Sequence, residues 1–376
     1  MDGNGGAEAV LNLPCNSSIS VAYDPLFGSH EDLLLLEIEP ILLPHFLNNR
    51  VTIRGQPNEE AVLCTPSTTF ALKFVSNSNS LFLIPPTTTD RTDPVESAWV
   101  LKSAPGNMEL VQVAPKLDKL KTLLSQKPYR AEEEEEEDDD EICVVVDRTG
   151  FYTWDDLVDR IQASDEELRG GLQAISAVEI DGYWRVVDEE LVTGVLSMLV
   201  HDSVLFGWSL EALNEVDVVS SLEADGFSTK LAVHCLGMFG SKVEGVWSLD
   251  ERRVCVHFAR QVLKKGKKKM ENFMEEWERS IPSGMCARLE MLEGEVLVDR
   301  IGVESWIRAF RVSSLPSAPA ERFAALFRER QKWEWRDLEP YIRDLQVPGL
   351  SSEGLLIKYT RRTQPTADVE PVFSAR

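Results

Sequence analysis

A chain of 376 residues with 43% hydrophobic and 27% charged residues has the balance of a folded protein of roughly two to four modules, not of a disordered one. No apolar run approaches the roughly 20 residues that span a bilayer, and MDGNGGAEAVLNLP lacks the basic head and apolar stretch of a secretory leader, so no membrane association is expected. The net charge of −24 argues at first against nucleic acid, yet from Asp250 onward 23 Lys and Arg face 20 Asp and Glu; the rest therefore carries −27, and the back of the chain can still turn a positive face to DNA.

From the start to about residue 113 the pattern is strand-like. LLLLEIEP (33–40), RVTIRG (50–55), AVLCT (61–65), FALKFV (70–75) and SLFLIPP (80–86) are short, β-rich and punctuated by Pro, Asn, Gly or Ser. NSNS (77–80) reads as a hairpin turn, and SAWVLKS and MELVQVA complete about seven strands. Several are apolar on both faces. Leu34, Leu36, Ile38, Val51, Ile53, Phe74, Phe82 and Ile84 are the candidate partner-binding side chains, because exposed apolar edges invite pairing. Either another chain covers a small β-barrel here, or a complete sandwich buries the same residues itself.

After Pro115 the character turns helical. KLDKLKTLLSQK carries one apolar stripe, and EEEEEEDDDE (132–141) is a self-repelling block that fits a solvated insertion over 131–147. YTWDDLVDRIQ and DEELRGGLQAIS follow, the latter capped by Ser164 with Glu167 completing a capping box. AVEIDGYWRVVD, with Asp-Gly at 181–182, predicts a β-hairpin. Three helices and a hairpin are the plan of a winged helix, and the order recurs with Trp184, Trp247 and Trp306 about sixty residues apart. The expected fold class is α+β: a barrel-like domain over 1–113, then winged helices over 114–188, 189–250 and 251–314. Residues 315–376 are expected to be C-terminal helices and a tail; SSEGLLIKYTRR is one such helix, which either completes the third module or begins a truncated fourth.

Motifs for catalysis and cofactors are missing. There is no phosphate-binding glycine loop and no Gly-x-Ser-x-Gly elbow, and six scattered cysteines without a Cys-x-x-Cys pair fit reduced thiols in a cytosolic or nuclear protein. His234 beside Cys235, and His257 two after Cys255, lie on predicted helices where such neighbours face apart, so neither pair makes a ligand set. No cofactor, metal or enzymatic activity is expected. The sharpest feature is KKGKKKM: Lys264, Lys265, Lys267, Lys268 and Lys269. Clustered lysines fit a phosphate-facing patch, a nuclear-import signal or a solvated helix end. Arg308 and Arg311, and Arg361 and Arg362 near Lys358, would extend a DNA-facing patch. Tyr183, Trp184 and Trp247 fit core closures.

LLLLEIEP, VTIRG, AVLCTPSTTFALKFV with LFLIP, KLDKLKTLLSQKPY, LVDRIQASDEELRGGLQAISAVEIDGYWRV, LEGEVLVDR and FRERQKWEWRDLEPYIRDL together resemble, in register from about residue 31 to 360, the Dcc family of sister chromatid cohesion proteins. The acidic run and extended tail are not part of that resemblance. It implies a nuclear, non-catalytic subunit of an alternative replication factor C clamp loader. There the protein would join the chromosome-transmission-fidelity large ATPase subunit and its small companion through composite β-barrels. Small replication factor C subunits, the sliding clamp, polymerase epsilon and DNA are the further implied partners, the winged helices serving DNA and polymerase. A winged-helix scaffold of transcription or ubiquitin-ligase machinery is the alternative, because fold does not fix function.

Overall fold

The computed structural model describes residues 18–28, 33–85, 97–130, 148–345, 350–364, 366 and 369–376; the acidic run 132–141 lies outside them. The chain divides into two compact units, Met1–Val113 and Ala114–Arg376. Both helix and strand are well represented, as an α+β class requires.

In the first unit, β1 (Ser20–Tyr23) pairs in parallel with β5 (Ser97–Val100), and α1 spans Leu43–Asn48. An antiparallel sheet runs in the order β2 (Thr52–Arg54), β3 (Val62–Cys64), β4 (Thr69–Leu83), β6 (Lys102–Gln112). A bridge from Leu36 to Met108 lays one residue of the LLLLEIEP segment along the far side of β6. The expected barrel is corrected: among the described residues the sheet stays open. β2 and β3, three residues each, offer too few pairing groups to carry closure. NSNS is not a turn either. Residues 70–75 and 80–83 belong to one strand, β4, whose register against β6 shifts between Ser76 and Leu81. The run lacks the glycine that tight hairpins favour, and it is accommodated as a bulge. Opposite Ser76 stands Gly106, where a Cβ would meet the Val75 carbonyl oxygen at 2.1 Å, so only glycine lets the strands approach there.

The second unit repeats one order of elements. In the first repeat α2 (Asp118–Leu124), α3 (Trp154–Arg160) and α4 (Asp165–Ala174) precede the hairpin β7 (Ala177–Ile180) and β8 (Tyr183–Val186). The Ser164–Glu167 capping box is formed on both arms. Asp181 and Gly182 take φ of 52° and 83°, the left-handed pair a two-residue hairpin turn demands. The second repeat is α5 (Glu189–Phe206), β9 (Leu213–Asn214), α6 (Glu215–Ala224), α7 (Thr229–Phe239), β10 (Gly240–Val243) and β11 (Val246–Leu249). The third is α8 (Glu251–Leu263), β12 (Lys268–Lys269), α9 (Met270–Ser280), a 3-10 turn at Leu289–Leu292, β13 (Val296–Ile301) and β14 (Glu304–Ala309).

A fourth repeat replaces the expected tail. It comprises α10 (Pro319–Glu329), β15 (Lys332–Glu334), α11 (Trp335–Leu338), α12 (Ser352–Tyr359), β16 (Thr360–Thr363) and β17 (Val372–Ala375). SSEGLLIKYTRR is therefore not one helix: it breaks at Thr360, and Arg361 and Arg362 lie on a strand. In each repeat a short segment before one helix pairs with the second hairpin strand: Tyr152 with Trp184, Leu213 with Trp247, Lys268 with Ile307 and Trp333 with Phe373. Five residues after each comes a fully buried apolar anchor, Leu157, Val218, Phe273 and Leu338.

The repeats are not independent beads. One hydrophobic core runs from Tyr129 through the second repeat to Phe273, Trp277 and Ile307 of the third. His257 is buried in it, its ring edge-on to Phe239 at 5.0 Å. Thr193 Oγ1 donates its proton to the Glu189 carbonyl (2.6 Å), so it can only accept from His257 Nε2 at 2.9 Å, which fixes the Nε2–H tautomer. Between the third and fourth repeats Leu297 enters the core of the fourth, and the Tyr341 hydroxyl reaches the carbonyls of Val296 (2.7 Å) and Phe310 (3.2 Å). Arg322, buried, clasps Asp344 with two bonds of 3.0 and 3.1 Å.

Two outcomes test this arrangement. Tyr341→Phe is expected to cost on the order of 1 kcal/mol, the net worth of the hydroxyl's hydrogen bond, read as a lower urea midpoint. Burial, with Arg260, Arg311 and Lys264 adding to it, pushes the His257 imidazole down to about 4. The folded protein thus binds fewer protons than the unfolded one between the ordinary histidine value near 6.5 and 4, and its stability falls as pH drops through that window. The loss from pH 7 to 5 should be on the order of 2 kcal/mol, measured by urea unfolding, and His257→Gln should flatten it.

Candidate partner and nucleic-acid interface

The first unit leaves much of its apolar surface uncovered. Residues paired across antiparallel strands share a face, so the registers Ile53–Leu63–Phe70 and Phe74–Met108 put Ile53 and Phe74 on one face of the sheet. Leu63 and Phe70 at its centre are buried, whereas Ile53 and Phe74 are 66% and 55% exposed. Leu34, 74% exposed, lines a groove with Phe82 along the start of β6. Leu36, Ile38, Val51 and Ile84 are half-buried. A neighbouring aromatic group was not anticipated from the sequence: Tyr23 packs on Phe27 (4.3 Å between ring centroids) and Phe82 (6.5 Å), with Trp99 exposed on β5. Alternation of Val21 and Tyr23 in SVAY was the available signal.

The lysine run occupies the joint between α8 and α9. Lys268 and Lys269 form β12 and pair with Ile307 and Trp306, so part of the run is a structural strand. Four of the five lysines have carboxylate partners, that of Lys268 on the helix that follows the run and the others on distant segments. Lys264 meets Glu189 (3.7 Å) and Glu190 (3.4 Å), Lys267 meets Asp299 (3.6 Å), Lys268 meets Glu276, and Lys269 meets Glu304 (2.5 Å). The hydrogen bond from Lys268 holds the Glu276 carboxyl below its usual range, and that from Lys269 does the same for Glu304. Lys265 is exposed. Lys267 and Lys269 also flank the half-buried Trp306 ring, at 5.5 and 5.8 Å from its centroid, giving a basic face with an aromatic centre. The pairs of Lys264, Lys267 and Lys269 are solvent-accessible, and such pairs are worth roughly 0–1 kcal/mol, so a phosphate competes there with weakly held carboxylates.

Arg308 and Arg311 share the carboxylates of Asp299 and Glu189 with Lys267 and Lys264, whereas Arg361 and Arg362 lie elsewhere. Arg308 points its guanidinium at Asp299 (3.3 Å) and Glu329, and Arg330 joins the same Asp299 at 2.9 Å. Burial pushes the Asp299 carboxyl up, but hydrogen bonds from Arg330 and Arg308 outweigh it and hold it below its usual range. Arg308 is thus a clasp between the third and fourth repeats. Arg311 faces Glu189 at 3.8 Å, beside Lys264. Arg361 and Arg362 are exposed on β16 in the fourth repeat, and Arg362 bonds Gln364 at 2.6 Å.

Cys235 and Cys255 are buried packing residues, whereas Cys286 is exposed. Among the described residues no cluster of His, Cys, Asp or Glu is arranged to hold a metal ion, and no helix is long and apolar enough to cross a membrane. Burial pushes the Cys235 and Cys255 thiols up to about 12 and 11, far from the range of a nucleophile.

The chain matches the family described as "Sister chromatid cohesion protein Dcc1" over residues 33–342. It belongs to the Dcc1 family. The sister chromatid cohesion protein DCC1 of Danio rerio is 33% identical over 365 residues, covering 91% of this chain and 90% of that protein. DCC1 of Homo sapiens is 33% identical over 345 residues (88% and 85%), and the probable DCC1 of Dictyostelium discoideum 26% over 360 (88% and 90%). Similarity therefore extends over both units, and membership of the Dcc1 family supports a role in sister chromatid cohesion.

A salt titration of duplex binding tests the lysine face. Lys265, Lys267 and Lys269 replaced together by Ala should weaken binding and lower the slope of log K against log salt by about 0.9 for each phosphate no longer neutralised. A slope equal to that of the unaltered protein would assign the face to internal ion pairing alone.

Proposed function

We propose that this Dcc1-family chain is a nuclear, non-catalytic subunit of an alternative replication factor C clamp loader, acting as a tether. The observation that carries the reading is the open, apolar sheet of the first unit. Ile53, Phe74, Leu34 and Phe82 stand exposed where a monomer gains by burying them. Surface of this kind marks a protein interface, and strands of the large ATPase subunit and its small companion would complete the sheet by edge pairing. The repeats of the second unit would then serve as winged helices that hold DNA and polymerase epsilon near the loader and the sliding clamp. The basic face around Trp306 is the favoured DNA contact. Joining the two functions in one chain raises the effective concentration of each partner without tight individual contacts.

Affinity purification of the full chain followed by mass spectrometry separates this reading from its rival. Clamp-loader subunits should be recovered with the unaltered chain and be absent with a Leu34→Asp, Ile53→Asp, Phe74→Asp variant, because a charge in an apolar interface is left unpaired. Recovery of transcription or cullin components instead would establish the scaffold alternative.

A further inference from the structure

The fourth repeat carries an open groove of about 950 Å³ that the tether leaves unused. Its apolar side is built by Trp335, whose ring lies 5.8 Å from that of the buried Phe373, and by Leu356 and Ile357 of α12. Ile357 is 73% exposed. Its polar side is lined by Arg361, Arg362 and Arg376, the last donating to the Ile357 carbonyl at 2.9 Å, and by Glu353; Arg361 and Arg362, adjacent on β16, leave the strand on opposite faces. β16, which carries Arg361 and Arg362, is an edge strand paired on one side only, with β17.

Arginines bordering an apolar floor are complementary to a segment that carries both carboxylates and apolar anchors. Guanidinium forks bind carboxylates with two parallel bonds, and an edge strand supplies main-chain donors and acceptors to an extended peptide. Nucleic acid fits less well. Leu356 and Ile357 of α12 present aliphatic surface to the groove, which gives a phosphate no donor but gives an apolar side chain a contact. We propose that this groove docks an acidic peptide segment of a partner protein, an aliphatic or aromatic side chain resting on Ile357 and Trp335 and carboxylates on Arg361 and Arg362. The site is independent of the clamp-loader reading.

The test is selection of random-sequence peptides displayed on phage against the full chain, then fluorescence anisotropy with the selected peptide. The expected winners combine Asp or Glu with Leu, Ile or Phe. Their affinity should fall about tenfold or more, the loss of at least one charge-assisted pair, both in Arg361→Glu, Arg362→Glu and in Ile357→Asp, and should be unchanged in Arg279→Glu, an exposed position on α9. All of these positions are exposed, and an unaltered melting temperature confirms that the fold is kept. Winners lacking acidic residues, winners indifferent to both groove variants, or no winners above background would each overturn the assignment. So would a labelled single-stranded oligonucleotide whose binding alone is abolished by the double charge reversal, which would hand the groove to nucleic acid.

Discussion

The second unit depends on one recurring interaction: the short segment ahead of a helix is stitched by backbone hydrogen bonds to the outgoing strand of its own hairpin. In the first repeat this is a single pair, Tyr152 with Trp184, and in the fourth it is a three-residue strand centred on Trp333 and Phe373. The stitch brings sequence-distant ends together and sets the next helix so that the residue five positions on, Leu157, Val218, Phe273 or Leu338, drops into the core. Without it each hairpin would be a bare two-stranded ribbon, marginal in water.

The same stitch governs the lysine run. Because Lys268 and Lys269 form it in the third repeat, their backbones are committed and only their side chains can exchange partners. Their charges face Glu276 and Glu304, which lie on the helix and hairpin that the stitch joins. A segment that reads as surplus positive charge is thus locally balanced, and whatever it binds must compete with carboxylates already in place. The front unit poses the opposite case. Its uncovered side chains are apolar, so covering them is driven by removal from water, which salt does not screen.

Local chemistry was legible from the sequence where it acts over a few residues. The Ser164–Glu167 box, the Asp-Gly turn at 181–182 and the helix, helix, helix, hairpin order all follow from caps, turn residues and period. Features set by long-range pairing were not. Nothing in NSNS distinguishes a turn from a bulge until β6 is known to run on opposite it, past Gly106. Whether SSEGLLIKYTRR completes a third module or begins a fourth was undecidable from sequence because the elements are short and the closing strand, Val372–Ala375, resembles a frayed tail. For the candidate sites, the exposed apolar positions were readable as apolar but not as exposed. The acids that balance the lysines come from as far away as Glu189, beyond any local pattern.

Two joints between repeats are too short to bend. Strand β8 ends at Val186 and α5 begins at Glu189, with Asp188 both linker and cap, its carboxylate accepting from Glu190 N at 2.8 Å. Strand β11 ends at Leu249 and α8 begins at Glu251, with Asp250 in the same double role, accepting from Arg253 N at 2.9 Å while its own amide donates to Phe239. A linker of one or two residues, pinned on both sides and backed by a shared core, has no slack. The stretch from Asp188 to Ile307 therefore behaves as a strut, and a pull applied at one of its ends is delivered to the other as displacement, not dissipated in a hinge.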